Sequence, residues 1–189
     1  MGTDTGTTIV IRPETARDRA AIRRLVAAAF GSDAEAHLVD RIRASPEHVP
    51  EMALVAEVGG EVVGHVMISH AVLRSDVGDR RVALLSPLAV RPDHQRSGVG
   101  SALVRHALAR ADGLGEPMVV LEGSPTYYGA LGFEPAERYG IEIDLPEWAP
   151  PDAAQVIPLR SYDPGDPTLR GSVIYPEAFD TVHDDGAAP

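Results

Sequence analysis

The apolar residues near the start of the chain follow strand spacing and then helix spacing. A short apolar run at residues 8–12 predicts a first strand. After it, apolar residues recur at i, i+3, i+4, i+7 and i+8, which predicts a helix with one buried face. The capping-box pattern from Thr15 to Asp18 places the start of that helix, and a second helix is predicted over residues 33–43. The predicted buried face of the first helix consists of Ile22, Leu25, Val26, Ala29 and Phe30.

The middle of the chain is typical of β-strands with one helix between them. Gly59 and Gly60 form a two-residue hairpin pattern between two apolar-rich runs. Pro87 lies inside a third run and predicts a bulge or an edge there, because proline cannot donate a hydrogen bond to a central ladder. A helix is predicted from Ser101 to about Ala111. The strands are predicted over residues 52–58, 61–73, 82–90 and 118–122.

A short helix is predicted between Ser124 and Gly132. Ser124 suits an N-cap, Pro125 suits the first helical position, and Gly132 suits the left-handed position that ends a helix. The chain then enters a strand at Phe133. Proline-rich connections separate three further predicted strands, at residues 141–143, 155–159 and 171–175.

The length of 189 residues suits one well-buried domain. We expect this domain to span residues 8–176, with residues 1–7 and 180–189 as disordered tails. An apolar fraction of 44% and a mean hydropathy of −0.07 are typical of a globular protein. Cysteine is absent, and we find neither a signal-peptide pattern nor an apolar run long enough for a membrane span. We therefore expect a cytoplasmic protein without a membrane partner.

The net charge of −11 bears on the partners of the chain. Phosphate contacts supply most of the affinity of nucleic-acid-binding proteins, so we do not expect nucleic acid as a partner of so acidic a chain. An acidic protein weakly favours a cationic substrate such as an amine, although solubility explains the same charge equally well.

Residues 91–100 connect a predicted strand to a predicted helix and predict an anion site. The first N–H groups of a helix have no partner within the helix, and the helix dipole adds positive charge there. Gly98 and Gly100 let the backbone approach a ligand closely. The loop lacks the Gly-Lys-Ser/Thr of a P-loop and the third glycine of a dinucleotide-binding loop, which disfavours a Rossmann domain. Positive charge in the loop comes from Arg91, His94 and Arg96.

Two motifs resemble those of the GNAT-type N-acetyltransferases. The segment Gln95-Arg96-Ser97-Gly98-Val99-Gly100 is similar to the Q/R-x-x-G-x-G/A loop that binds the acyl-CoA pyrophosphate in this family. About thirty residues further on, Tyr128-Gly129-Ala130-Leu131-Gly132-Phe133 resembles the family's Y-x-x-x-G-F pattern. The resemblance extends over residues 8–175 and is strongest to the bacterial branch of predicted N-acetyltransferases.

This resemblance implies a fold and a co-substrate. The fold is a single GNAT-like α/β domain, with a mixed, mostly antiparallel sheet, a central parallel strand pair that splays apart, and flanking helices. The co-substrate is acetyl-CoA, whose pantetheine arm is expected to lie in the gap between the two splayed strands and to bond to the backbone of Leu88 and Val90. The amide of Leu88 or Ala89 is expected to polarise the acetyl carbonyl. The pyrophosphate is expected at Gln95, Arg96, Ser97, Gly98, Val99, Gly100 and Ser101.

Tyr128 occupies the position of the family's general acid, five residues before Phe133. A phenol in this position can donate its proton to the departing thiolate. The alternative for Tyr128 is aromatic packing with a hydrogen-bonded hydroxyl, and we expect Tyr127 to be its packing partner. The asparagine that many relatives carry after the next strand is replaced here by Gly123-Ser124, which puts one contact to CoA in doubt.

The general base is indicated less clearly than the acid. Many relatives carry a glutamate on the strand before the loop, but residues 82–90 contain no carboxylate. Glu122, at the end of the neighbouring strand, is the candidate base, acting directly or through water. His65 and His70 are further candidates, although a core or surface role is more common for such histidines.

Together these residues predict an acetyl-CoA-dependent N-acetyltransferase that acetylates a primary amine by direct attack on the thioester. The alternative is an acyl-CoA-binding sensor or interaction module on the same fold, because no base is evident. The acceptor is expected to be a small-molecule or peptide amine, and a homodimer stays open. No metal is expected, because His94 with His65 or His70 lacks a ligand pair at helical spacing. The acceptor surface is expected near residues 30–33, 74–80 and 146–168.

Overall fold

A mixed nine-stranded sheet runs through residues 8–180, the part of the chain that this computed structural model describes. The strands are β1 (Ile9–Pro13), β2 (His48–Val58), β3 (Glu61–Ser75), β4 (Gly78–Val90), β5 (Met118–Glu122), β6 (Glu134–Pro135), β7 (Ile141–Glu142), β8 (Ala154–Pro158) and β9 (Gly171–Ile174). The helices are α1 (Arg19–Phe30), α2 (Ala34–Ala44), α3 (Val99–Gly113) and α4 (Pro125–Gly129).

The strand order is β1-β2-β3-β4-β5-β8-β6, and β9 pairs with both β3 and β7. Neighbours in the main path run antiparallel except β4 and β5, which are parallel, and a second parallel pair joins β7 to β9. Helices α1 and α2 pack on one face of the sheet, and α3 packs on the other. This arrangement confirms the predicted mixed sheet with a central parallel pair and flanking helices.

The predicted capping box begins the first helical segment. The Thr15 N–H donates to Asp18 Oδ2 at 2.7 Å, and the Thr15 hydroxyl donates to the same oxygen at 2.8 Å. A single 3₁₀ turn precedes α1, so the regular helix starts slightly later than the capping pattern suggests. Gly31 ends α1 in the left-handed conformation, with φ of 72°. The predicted inner face is buried at Ile22, Leu25 and Val26, whereas Phe30 is 37% exposed.

Strands β3 and β4 are longer than the apolar pattern predicted. They are joined by a tight hairpin in which Ser75 pairs with Gly78, and the ladder continues through polar pairs such as Arg74 with Asp79. Polar residues extend these strands because their backbone groups pair across the hairpin even where the side chains meet solvent. The predicted acceptor segment at residues 74–80 is therefore a β-hairpin around a two-residue turn, and it lines neither of the cavities described below.

Strand β4 is irregular where Pro87 was predicted to interrupt it. Its register with β3 shifts by one residue between the pairs Val66–Leu88 and Ile68–Leu85, as in a β-bulge. Pairing with β5 is confined to Ala83 and Leu84. From there to its end, β4 and β5 separate, and the β4 edge that faces away from β3 borders a gap.

Helix α3 starts at Val99, two residues before the predicted start. Gly98 adopts a φ of 87°, which turns the chain sharply enough for Val99 and Gly100 to join the first helical turn. This end of the helix packs closely on β3 at Gly64. A Cβ atom at Gly64 would lie 2.9 Å from Val99 Cγ1 and 2.8 Å from Leu103 Cδ1, so glycine allows the close approach. The helix N-terminus is thereby held beside the end of β4.

Two further sequence predictions concern membranes and tails. Within the part of the chain that the structure describes, no helix is long and apolar enough to cross a membrane. The predicted disordered tails, residues 1–7 and 180–189, lie outside the described residues except for Asp180. Asp180 directly follows the 3₁₀ turn Glu177–Phe179.

Candidate active site

Two cavities meet where β4 and β5 diverge. The larger has a volume of about 750 Å³ and extends from the gap between the strands toward the α1–α2 turn. The smaller has a volume of about 290 Å³ and lies against the loop that leads into α3. Leu88 lines both cavities. We refer to them below as the acceptor cavity and the loop cleft.

The backbone direction along β4 determines which groups face the gap. The Arg91 N–H donates to Val63 O at 2.9 Å, so Arg91 faces β3. Because alternate residues of a strand point their N–H and C=O groups to the same side, Ala89 also faces β3. Leu88 and Val90 therefore face the gap, and the Val90 carbonyl oxygen accepts a bond from the Gln95 side chain at 3.1 Å. Of the two amides predicted to donate to the acetyl carbonyl, that of Leu88 faces the gap and that of Ala89 faces β3.

The loop between β4 and α3 directs several backbone donors into the loop cleft. The first intrahelical bond of α3 runs from Ala102 N–H to Gly98 O at 3.0 Å, so the preceding N–H groups are not used by the helix. Arg96 has a φ of 59°, which is unusual for a residue with a side chain. Ser97 Oγ donates to His94 O at 2.5 Å and closes the loop. The cleft is lined by Leu88, Val90, Gln95, Arg96, Gly98, Gly100, Ser101 and Tyr127.

The positive charges predicted for this loop are only partly available to a ligand. Arg91 pairs with Glu61 at 3.0 Å and with Asp93 at 2.7 Å, and neither Arg91 nor His94 lines the cleft. His94 Nδ1 lies 3.0 Å from Asp93 Oδ1. Arg96 is exposed and lines the cleft, so it is the cation closest to the backbone donors.

The short helix α4 carries the two tyrosines to different cavities. Ser124 Oγ accepts the Tyr127 N–H at 3.3 Å as the predicted N-cap, and Gly132 has a φ of 98° at the predicted left-handed position. Tyr128 lines the acceptor cavity and packs edge-on against Phe133, with the ring centroids 5.6 Å apart. Burial raises the pKa of Tyr128, with a smaller contribution from Tyr127, so its hydroxyl is protonated throughout the neutral range.

Gly123 explains why the family's asparagine has no counterpart here. A Cβ atom at Gly123 would collide with the Tyr128 ring, so a side chain at this position would displace the tyrosine. The Gly123 backbone is held from both sides, by a bond from its N–H to Ala153 O and by one from Gln155 Nε2 to its carbonyl oxygen, each of 3.0 Å. Glycine at this position thus allows the Tyr128 ring to lie across the end of β5.

Tyr127 has a second contact besides the predicted packing on Tyr128. Its ring does meet the Tyr128 ring edge-on, at a centroid distance of 4.9 Å. Its hydroxyl, however, lies over the start of α3, only 2.6 Å from where a Cβ atom at Gly100 would be. Tyr127 therefore lines the loop cleft, whereas Tyr128 lines the acceptor cavity.

Glu122 lies at the end of β5 and lines the acceptor cavity together with Tyr128 and Leu88. A second tyrosine, Tyr175, lines the same cavity. Burial raises the pKa of Tyr175, and the negative charges of Glu122 and Asp144 raise it further. The candidate base thus lines the same cavity as two tyrosines.

The two histidine candidates for the base do not reach the cavity. His65 is fully buried, and its Nε2 lies 2.7 Å from Glu14 Oε2 on the α1–α2 face of the sheet. His70 Nε2 lies 2.7 Å from Glu116 Oε1. Neither histidine lines either cavity, because both lie on β3 and β4 stands between β3 and the gap. Within residues 8–180 no group of histidine and carboxylate side chains suited to a metal occurs.

The acceptor cavity contains several residues that no motif indicated. Phe30 comes from the end of α1, Trp148 from the proline-rich segment before β8, and Tyr175 and Phe179 from the segment after β9. The predicted surfaces near residues 30–33 and 146–168 do contribute, through Phe30 and Trp148. Tyr175 and Phe179 stand in no recognisable pattern, and only the antiparallel pairing of β9 with β3 brings them to the cavity.

Comparison with known proteins identifies the family to which this arrangement belongs. Residues 10–136 match the family model described as an acetyltransferase (GNAT) domain. The chain belongs to the GNAT acetyltransferase family. The uncharacterized N-acetyltransferase YjhQ of Escherichia coli K12 is 34% identical over 133 residues, which cover 69% of this GNAT chain and 74% of YjhQ.

Two solved GNAT structures extend the similarity to almost the whole chain. The GNAT family N-acetyltransferase YhbS from Escherichia coli, in complex with CoA, is 30% identical with a TM-score of 0.78, over 95% of this chain and 96% of YhbS. A GNAT family acetyltransferase from Brucella melitensis, in complex with acetyl-CoA, is 29% identical with a TM-score of 0.72, over 92% of this chain and 99% of that one. The predicted family and fold are confirmed, and this GNAT protein is an acetyltransferase.

Proposed function

We propose that this protein transfers the acetyl group of acetyl-CoA to a primary amine by direct attack of the amine on the thioester. The observation that carries this proposal is the junction at Leu88. There, the cavity lined by Tyr128 and Glu122 adjoins the cleft lined by the residues that lead into α3, and Leu88 lines both. The complexes of similar GNAT proteins with CoA and acetyl-CoA support the choice of co-substrate.

The loop cleft fits the pyrophosphate and pantetheine parts of acetyl-CoA. Backbone N–H groups between Arg96 and Ser101 would bind the pyrophosphate, because helix N-termini provide donors and partial positive charge. Arg96 adds a full charge at this point, and the backbone of Val90 and Leu88 would bond to the pantetheine arm. The residues proposed to form the binding site are Leu88, Ala89, Val90, Gln95, Arg96, Ser97, Gly98, Val99, Gly100 and Ser101.

The reacting carbonyl would lie beside Leu88, where the two cavities meet. The Leu88 N–H faces the gap and would stabilise the negative charge that develops on the carbonyl oxygen. Ala89 contributes by pairing with β3 and holding this part of β4 in place. The Ala89 side chain is buried on the α1–α2 face of the sheet, opposite the Leu88 side chain, so its proposed role is positioning.

Two proton transfers complete the reaction. The attacking nitrogen must lose a proton, and Glu122 is proposed to accept it directly or through water. The sulfur of the departing thiolate gains a proton, which Tyr128 is proposed to donate. The raised pKa of Tyr128 keeps its hydroxyl protonated before the reaction, as a proton donor must be. Because a thiolate is a weaker base than a phenolate, the transfer needs the Tyr128 proton to be replaced from solvent. Each proton given up by Tyr128 is then recovered from solvent.

The proposal is tested by mixing the purified protein with acetyl-CoA and a panel of primary amines. Free thiol is followed by absorbance, and the acetylated amine is identified by mass spectrometry. We expect both products to form in equal amounts, at a rate that increases with pH as the amine becomes neutral. Acetyl-CoA binding without transfer to any amine would instead indicate a sensor or interaction module.

A further inference from the structure

The charged residues that line the acceptor cavity are all acidic. Among the residues that the structure describes, its charged lining groups are the carboxylates Glu35 and Glu122, and no lysine, arginine or histidine lines it. Glu35 is on the first turn of α2, where Ser32 Oγ donates to its Oε2 at 2.6 Å. Most other lining residues are leucine, proline or aromatic. The cavity therefore suits a cation attached to a large apolar group.

Two aromatic side chains mark the mouth of this cavity. Trp148 is 53% exposed and Phe30 is 37% exposed, and they are the large aromatic residues among the exposed apolar side chains of the described chain. Both line the acceptor cavity, from segments far apart in sequence. Exposed aromatic groups that converge on a concave site provide an apolar binding surface, and their faces also attract cations.

The exposure of the lining residues indicates the orientation of a bound amine. Glu122, Tyr128 and Leu88 are half-buried, and the thioester carbonyl is proposed to sit beside them, whereas Trp148 and Phe30 are exposed. An amine that attacks there must place its apolar body outward, along the wall that leads to Trp148 and Phe30. A volume of about 750 Å³ is within the range of small-molecule sites and is much larger than a two-carbon amine needs.

We infer that the acceptor is a small amphipathic amine, with a primary amino group, a linear alkyl or aryl body and no negative charge. This inference rests on the proposed transferase function and specifies its substrate class. A carboxylate on the amine would face Glu35 and Glu122 without a cation to pair with, which disfavours amino acids.

The test compares amines that differ in one property at a time. Ethylamine and n-hexylamine have similar basicity but differ by four methylenes, and burial of each methylene is expected to raise kcat/KM about threefold. We therefore expect n-hexylamine to be used roughly a hundredfold better than ethylamine. 6-Aminohexanoate has the same chain length with an added carboxylate, and its kcat/KM should fall at least about tenfold below that of n-hexylamine.

A matched pair of variants links this preference to the cavity. Trp148→Ala should lower kcat/KM for 2-phenylethylamine by about tenfold and leave ethylamine almost unchanged, because only the larger amine reaches the indole. Leu114→Ala removes an equally exposed apolar side chain that lies at the far end of α3, and it should change neither substrate.

Two results would overturn the inference and leave the transferase function intact. The first is equal use of ethylamine, n-hexylamine and 6-aminohexanoate. The second is a preference for hexanoyl-CoA over acetyl-CoA without a preference among amines, which would mean that the cavity holds the acyl chain. Failure to acetylate any amine in the series would overturn both the substrate class and the proposed function.

Discussion

The loop cleft and the acceptor cavity meet at Leu88, but they are built from different parts of the protein. Apart from Tyr127, the loop cleft is lined by one stretch of chain, from the end of β4 to the start of α3. The acceptor cavity is lined by the end of β4, the β5–α4 segment, α1, α2, the proline-rich segment and the end of the described chain. Substitutions in the cleft should therefore matter when they block the backbone, whereas substitutions in the cavity should matter through side-chain chemistry.

The largest expected effect is that of Tyr128→Phe, which keeps the ring and removes the proposed proton donor. Turnover should fall by up to about a thousandfold, as expected for the loss of a general acid, while acetyl-CoA affinity stays the same. Steady-state kinetics with saturating amine measures this effect. The control is Tyr139→Phe, which removes a hydroxyl bonded to Glu134 at 2.8 Å away from both cavities. Equal rates for wild type and Tyr128→Phe would assign Tyr128 to packing.

Glu122→Gln tests the second side chain of the acceptor cavity. Turnover should fall by roughly a hundredfold, because the amide keeps the shape of the carboxylate but cannot accept the amine's proton. The rate of the variant should also depend more steeply on pH, since only bulk solvent then removes the proton. Glu35→Gln is the comparison at the mouth of the cavity and should affect mainly the KM for the amine. A variant as fast as wild type would exclude Glu122 as the base.

Gly100→Val tests the backbone character of the loop cleft. The new Cβ atom would lie 2.6 Å from the Tyr127 hydroxyl, so the tyrosine must move into the space proposed for acetyl-CoA. Affinity for acetyl-CoA should fall at least about tenfold, and the Tm increase that acetyl-CoA gives the wild type should largely disappear. Gly113→Ala, in open space at the other end of α3, should keep the full Tm increase. An undiminished Tm increase in Gly100→Val would place the pyrophosphate elsewhere.

Tyr127→Phe tests whether Tyr127 and Tyr128, adjacent residues of α4, have different roles. Its hydroxyl borders the loop cleft and not the acceptor cavity, so its loss should raise the KM for acetyl-CoA by about threefold, as for one neutral hydrogen bond. Turnover at saturating acetyl-CoA should not change. If Tyr127→Phe lowers turnover more than Tyr128→Phe does, the proton donor is Tyr127.

The smallest effect on activity is expected from the buried cluster of Glu14, Arg43 and His65, which lines neither cavity. Burial lowers the pKa of His65, against the effect of Glu14, so folded His65 stays neutral at a pH where the unfolded chain is protonated. Stability should therefore fall as the pH drops below about 6.5, the ordinary pKa of histidine. Burial alone would raise the pKa of Glu14, but hydrogen bonds from His65 and Arg43 lower it to about 2, so a further loss follows below about pH 4.5.

Thermal unfolding between pH 7 and pH 3 measures this dependence. His65→Gln should flatten the decrease in Tm between pH 7 and pH 5, because the buried titrating group is gone. His106→Gln changes an exposed histidine on α3 and should keep the wild-type slope. The same slope in His65→Gln and wild type would show that other groups cause the acid sensitivity.

Local patterns determined much of this protein from the sequence alone. The hairpin at Gly59-Gly60, the cap at Thr15 and Asp18, the bulge at Pro87 and the end of α4 at Gly132 were all predicted, because each depends on neighbouring residues. The family was predicted for the same reason, since both of its motifs are short and contiguous. The lengths of β3 and β4 were not predicted, because polar residues join a ladder only when a partner strand is present.

The acceptor cavity was decided by the tertiary structure. Which side of β4 faces the gap depends on its register with β3, and this separates Leu88 from Ala89, while β4 stands between His65 and the gap. Tyr175 and Phe179 reach the cavity only because β9 pairs with β3, and Trp148 and Phe30 converge from segments more than a hundred residues apart. Backbone sites form from adjacent residues, so the sequence determined the loop cleft. Side-chain cavities form where distant segments pack, so only the folded chain determined the place for the amine.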